Sequence, residues 1–197
     1  MLDHVFTDAI GALREALEKA FLERHAFEEG FKADILLGDL SWETSYGLPG
    51  EGSPPRVQAD LTLDWPTWAQ TSYRSWYIGE PMDEGPRIDI EIVVRIQRLR
   101  ASPDPGVILA VLPRHSPAIG LQQLERSGPT VATTFDDDIS NPEYAIEVSY
   151  VGSYELDDET LADGNTLDDH FGDMGGWITH MLVQLGDITL EFLPPSE

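Results

Sequence analysis

The chain has 197 residues, a formal net charge of −24 from 36 acidic against 12 basic side chains, and no cysteine. Its average field repels polyanions, so direct contact with nucleic acid or an anionic membrane surface is not expected. Without thiols there are no disulfides, thiolate metal sites or cysteine nucleophiles.

Hydrophobic residues make up 41% of the chain, enough to build a core, and one domain is expected over residues 1–197. The basic side is lopsided: Lys19 and Lys32 are the only lysines, against ten arginines. Three readings of this charge stand side by side. One is a solubility bias in a genome poor in lysine codons. The second is life at high salt, where the Debye length shrinks to about 3 Å and dense like charge costs little. The third is mimicry of DNA, with carboxylates in place of phosphates.

The first element is a helix over about residues 2–25. Phe6, Ile10, Leu13, Leu17 and Phe21 recur at steps of three and four and form one apolar stripe. Asp3 can cap its start, Gly30 can follow its end, and Glu15 and Lys19 pair across one turn outside. The start lacks the basic region and unbroken apolar run of a signal peptide. No apolar stretch reaches the roughly 18 residues of a membrane span, so no membrane partner is expected. The expected location is the cytoplasm, or a virion assembled there.

Residues 31–112 read as β-rich. A strand is expected over residues 32–40, then a loop over 47–55 with three glycines and three prolines. Val57, Ala59, Leu61, Leu63 and Trp65 alternate with polar residues, the pattern of a strand with one dry face. Pro66 marks an edge, a bulge or a strand end. The chain is expected to run on extended through Thr71, Tyr73, Ser75 and Tyr77. After a loop over residues 79–86, Ile88, Ile90, Ile92, Val94 and Ile96 share one strand face. The segment GVILAVL, residues 106–112, reads as a short apolar strand.

Residues 113–142 read as loop-rich, with a helical turn near residues 121–126 and a strand near 130–135. Residues 143–197 begin with a strand, EYAIEVSYVGSYEL, that can bulge at Gly152. An acidic, glycine-rich loop or frayed helix follows. The segment from Trp177 opens as helix or strand, and Ile188, Leu190 and Phe192 alternate as a closing strand. The fold class is therefore α+β: a mixed or mostly antiparallel sheet of five to eight strands, the N-terminal amphipathic helix on one face, and long loop excursions.

Several groups could carry chemistry. Asp136, Asp137, Asp138, Asp168, Asp169, His170 and Asp173 supply hard oxygen ligands and an imidazole. Their spacing fits no calcium loop, and acidic runs beside glycine are ordinary solvated surface, so no metal is expected. His115 beside Ser116 is no catalytic triad by adjacency, and no G-x-S-x-G is present. Gly172, Gly175 and Gly176 lack the lysine of a phosphate loop, so no nucleotide or other cofactor is expected. His180 stands alone. Arg95, Arg98 and Arg100 form the one basic cluster, and ion pairs with nearby acids such as Glu91 account for it. Catalysis is not expected.

The segment LDWPTWAQTSYRSWYIG, residues 63–79, stands apart. It holds three of the five tryptophans and two of the six tyrosines. Trp65 continues the dry strand face. Trp68, Tyr73, Arg74, Trp76 and Tyr77 cannot all point one way on an extended chain, so some of them face outward or meet another subunit. Aromatic residues and arginine dominate interface energetics, which makes these five the candidate interface.

The element order over residues 1–112, an amphipathic helix followed by long strands with extended hairpin loops, resembles the tail-terminator and neck proteins of tailed viruses. The resemblance implies a ring of subunits, and the halophile-like charge suits a virus of a salt-loving host. The expected function is thus a non-catalytic assembly component whose partners are other protein subunits, first a homo-oligomer. The alternative is an acidic, secretion-chaperone-like adaptor that binds a client protein; a third reading is a DNA-mimic inhibitor.

Overall fold

The computed structural model describes residues 4–20, 23–24, 30–33, 38–82, 84–135, 142–158, 160 and 164–194. Its centre is an antiparallel sheet whose long strands are the ones with strict alternation. In chain order the elements are α1 (His4–Lys19), β1 (Glu23–Arg24), β2 (Gly30–Ala33), β3 (Leu40–Gly47), β4 (Val57–Trp65), α2 (Thr67–Ile78), β5 (Arg87–Leu99), α3 (Pro105–Val111), β6 (Glu125–Arg126), β7 (Thr130–Thr134), β8 (Glu143–Glu155) and α4 (Gly164–Gly186). The sheet order is β1-β3-β4-β5-β8-β6, with β2 also beside β3 and β7 also beside β8. Every pairing is antiparallel. The fold is α+β.

Register places the apolar residues on one face. Trp42 lies opposite Leu63, Leu61 opposite Ile92, and Ile92 opposite Tyr150. The helices α1 and α4 cover this face. Phe6 of α1 meets Trp65 edge-on at 5.6 Å, while Trp177 and Phe171 of α4 meet Tyr150 and Tyr154 at 5.0 and 5.1 Å. The strand faces and the helix stripe expected from periodicity meet in one continuous core. Burial at about 25 cal/mol per Å2 of apolar surface is what holds the two layers together.

Several local expectations change. The segment after Pro66 is helical rather than extended. Pro105–Val111 is a helix, with Pro105 in the first turn and the Asp104 carboxylate accepting from the Gly106 N–H at 2.9 Å. This cap overrides a short apolar run that suits either state. Residues 121–126 form bridges and β6 rather than a helical turn. The irregularity in the β5–β8 pairing falls between Ile96 and Leu99, whereas Gly152 stays in register opposite Ile90. The acidic glycine-rich segment from residue 164 is the start of the 23-residue α4. Residues 188–192 add one bridge, Leu99 to Phe192, and no strand. The helix expected over residues 2–25 ends at Lys19, and Glu23–Arg24 within that span is β1, paired to β3. The strand expected over 32–40 is instead β2, ending at Ala33, and β3, starting at Leu40, with residues 38–39 in neither. Asp3, Phe21 and residues 34–37 lie outside the described residues.

Candidate interaction surface

The helix α2 is built by its two ends. At the start, the Asp39 carboxylate accepts from both the N–H (2.6 Å) and the hydroxyl (2.8 Å) of Thr67. These two bonds hold the Asp39 carboxyl below its ordinary value. Gln70 donates to the carbonyls of Gly38 (2.8 Å) and Trp65 (3.1 Å), tying the first turn to the sheet. At the end, Gly79 adopts φ 75°, its N–H bonds the Trp76 carbonyl, and the Glu80 N–H bonds Ser75 at 2.8 Å. This is a Schellman closure, and the left-handed residue it needs is a glycine. A cap supplied from 28 residues upstream is invisible to local periodicity, which explains the expectation of a strand here.

On a helix the aromatic residues sort by azimuth. Ala69, Gln70 and Tyr73 face inward. Tyr73, expected at an interface, is 4% exposed and packs edge-on to Trp65 at 6.0 Å, so it belongs to the core. Burial raises its phenol pKa, and the neighbouring Tyr77 adds to the shift. Trp76 is half-buried, stacks on Tyr73 at 5.9 Å, and donates its indole N–H to Asp158 at 2.8 Å. Trp68 is 36% exposed, with the Arg87 guanidinium 4.7 Å from its ring centroid. It borders a hollow of about 460 Å3 with Thr71, Ser72 and Glu84. Arg74 is exposed. Tyr77 is 65% exposed.

Two residues missed in the sequence complete the surface. Ile78 is 65% and Met82 37% exposed. The signal for them was a helix ending at Gly79, which puts its last apolar residues at a free end. Tyr77 and Ile78 therefore leave an apolar tip at the end of α2, with Arg74 one turn before Ile78, while Trp68 lies in the first turn at the other end of the helix.

The open face of the sheet behaves differently. The Asp60 carboxylate accepts from Ser45 and Gln58, each at 2.5 Å, and lies 3.3 Å from Arg95. Arg95 donates to Glu147 at 2.7 Å, and Gln97 donates to Gln58 at 3.2 Å. A polar ladder thus crosses β3, β4, β5 and β8 over a hollow of about 250 Å3. At its rim Arg98 is buried at φ 60° and donates to the carbonyls of Glu51, Pro54 and Leu193. The basic cluster is thus spent on carboxylates and carbonyls within the chain, and Arg100 is exposed.

The remaining candidates do not converge. Ser116 is buried, donates to Pro117 and accepts from the Leu124 N–H, so it holds a turn, while His115 is exposed. His170 Nδ1 lies 2.7 Å from the buried Tyr154 hydroxyl, and His180 is exposed. A groove of about 830 Å3 between α1 and α4 is lined by Asp8, Glu15, Asp168 and Asp169. Burial raises the Asp168 pKa, and Asp8, Asp169 and Glu15 raise it further. Among the described residues no three His, Asp or Glu side chains are placed to hold a metal ion, and Asp136, Asp137 and Asp138 lie outside them. Nor, among the described residues, is any helix long and apolar enough to cross a membrane. The chain matches no protein-family model, no curated protein and no solved structure.

Proposed function

We propose that the chain is a non-catalytic assembly component that associates with further protein subunits, copies of itself first, through the apolar tip of α2. One observation carries this reading: the adjacent Tyr77 and Ile78, each 65% exposed, end α2 on a chain of net charge −24. Val107 and Leu121, by contrast, are each exposed without an adjacent exposed large apolar residue in the sequence. Clustered apolar exposure marks contact sites, whereas single residues are ordinary surface. Arg74, one turn before Ile78, is a residue type that supplies interface energy.

The carboxylate coat works against self-association at low salt. Screening within about 3 Å in molar salt removes that cost, so association strengthens as salt rises. A DNA mimic would show the opposite dependence toward its target. The secretion-chaperone reading needs an open apolar sheet face, and α1 and α4 cover that face here. The N-terminal helix packed on long antiparallel strands and the halophile-like charge support a narrower reading, a ring subunit akin to tail-terminator or neck proteins, although α2 and α3 stand where extended chain was expected.

Sedimentation equilibrium in physiological and in molar potassium chloride tests the proposal. The wild type is expected to form an oligomer that tightens in molar salt. A Tyr77→Ser, Ile78→Ser double variant is expected to stay monomeric with unchanged circular dichroism. A wild type that remains monomeric in both salts at high concentration overturns the reading. A closed ring of one copy number by native mass spectrometry would favour the narrower version, and open-ended growth would exclude it.

A further inference from the structure

The two ends of β4 carry surfaces that complement each other. Past Trp65, at one end, α2 leaves Tyr77 and Ile78 uncovered, and Arg74 is its only charged residue. Arg74 is exposed, and among the described residues no carboxylate pairs with it. At the other end, beside Arg56, a hollow of about 330 Å3 lies between the loop after β3 and the last turn of α4. Leu48, Pro49 and Val183 give it an apolar wall, and Val183 is 45% exposed. The Leu48 side chain lies where a Cβ on Gly186 would stand, so loop and helix are closely packed there. Arg56 and Glu51 at the rim satisfy each other at 2.8 Å. Asp187 is exposed and has no basic partner among the described residues. The last turn of α4 holds no basic residue, so its terminal carbonyls add their negative potential to that of Asp187.

We infer that the hollow at the end of α4 receives the tip of α2 from a second copy of this chain. The inference rests on the self-association proposed above and names the surface that receives the tip. Apolar surface meets apolar surface when Ile78 enters beside Val183 and Leu48. Arg74, one turn before Ile78, then approaches Asp187 and the α4 carbonyls, and each charge gains the partner that its own chain does not supply. Opposite charges at the contact fix its orientation and locally offset the repulsion between two acidic subunits. A foreign partner would have to match one of these surfaces, whereas a second copy matches both. One subunit does not close on itself, because β4, Val57–Trp65, holds the two surfaces about 26 Å apart at ~3.3 Å per residue. The contact therefore joins different patches, and copies associate head to tail.

Sedimentation velocity in molar potassium chloride, with a Val183→Lys, Asp187→Lys variant, tests the inference. The two substitutions fill the hollow and give it the charge of Arg74. Both sites are exposed, and lysine suits a helix C-terminus, so circular dichroism should not change. The variant is less negative than the wild type, so general repulsion falls. It is nevertheless expected to associate about tenfold or more weakly. Mixed with the Tyr77→Ser, Ile78→Ser variant, it is expected to form one-to-one dimers and nothing larger, since each such pair keeps one intact tip and one intact hollow. A second measurement needs no variant: raising the wild-type concentration is expected to slow amide hydrogen exchange at residues 186–188 together with residues 77–80. The inference is overturned if the lysine variant assembles as the wild type does, or if the mixture stays monomeric while the wild type assembles. Exchange that slows at α2 without slowing at residues 186–188 overturns it too. In each of these cases self-association through α2 stands and its receiving surface lies elsewhere, whereas a wild type that never associates removes both proposals.

Discussion

The open face of the sheet and the tip of α2 both meet solvent, yet they are finished in opposite ways. On the open face, Asp60, Arg95, Glu147, Ser45 and Gln58 satisfy one another across four strands. A polar surface that is already paired gains little from a partner, because each new bond replaces an existing one. At α2 the base of the helix is anchored while its last turn leaves Tyr77 and Ile78 uncovered. Apolar surface has no partner within the chain to exchange, so covering it is a net gain. The contrast teaches that charge already paired within the chain leaves a partner little to gain, whereas the uncovered apolar residues at the end of α2 are where the proposed contact would gain most.

The largest effect should come from the anchor. Trp65 is buried between Phe6 of α1 and Tyr73 of α2. Trp65→Ala is expected to cost about 4 kcal/mol by urea denaturation, since it leaves a cavity that neither helix can collapse into. A cost near that of a surface substitution would detach α2 from the core account. Arg98→Met comes next. It leaves three carbonyls without their donor, at an expected cost of about 3 kcal/mol on the same measurement. The paired open face should yield less: Asp60→Ala, on a half-exposed ladder, is expected to cost about 1 kcal/mol. It should leave sedimentation unchanged, and a change in oligomer mass would move the interface to the open face.

The smallest effect concerns the acidic coat. Burial and neighbouring carboxylates raise the Asp168 pKa above its ordinary 3.8. The folded chain therefore binds that proton more readily than the unfolded chain, and the charged form costs stability above the raised value. Asp168→Asn is expected to raise Tm at neutral pH by at most about 2 °C. The gain should fade as pH falls through the raised pKa and vanish below 3.8. Differential scanning calorimetry across that range checks it, and an equal gain at acid pH would mean that charge is not the cause.

The strands β4, β5 and β8 were legible in the sequence because they alternate strictly, whereas β3, which carries Trp42 and Tyr46 into the core, was missed. β4 and β5 match the dry-face residues from Val57 to Trp65 and from Ile88 to Ile96. The helix α1 was legible from its stripe as far as Lys19, but Glu23–Arg24, within the expected helix, is a strand paired to β3. What stayed hidden depends on residues distant in the chain. Asp39 caps α2, so a run rich in Thr, Tyr and Trp turns helical against its β preference. The helix α4 hides behind glycines and acids that depress helix propensity, and it is held by Phe171 and Trp177 packing on β8. For the same reason the candidate surface was half readable. Trp68, Arg74 and Tyr77 lie outside, Tyr73 lies inside, and Ile78 and Met82 emerge only once the segment is a helix.

Acrylamide quenching of tryptophan emission over a dilution series tests the central claim most directly. Trp42 and Trp65 are buried, and Trp76, half-buried in the last turn of α2, adjoins Tyr77. In molar salt the Trp76 contribution, isolated by comparison with Trp76→Phe, should be shielded at high protein concentration and become quenchable on dilution. Quenching of Trp76 that is the same at every concentration, while sedimentation shows an oligomer, would contradict the account by placing the subunit contact elsewhere.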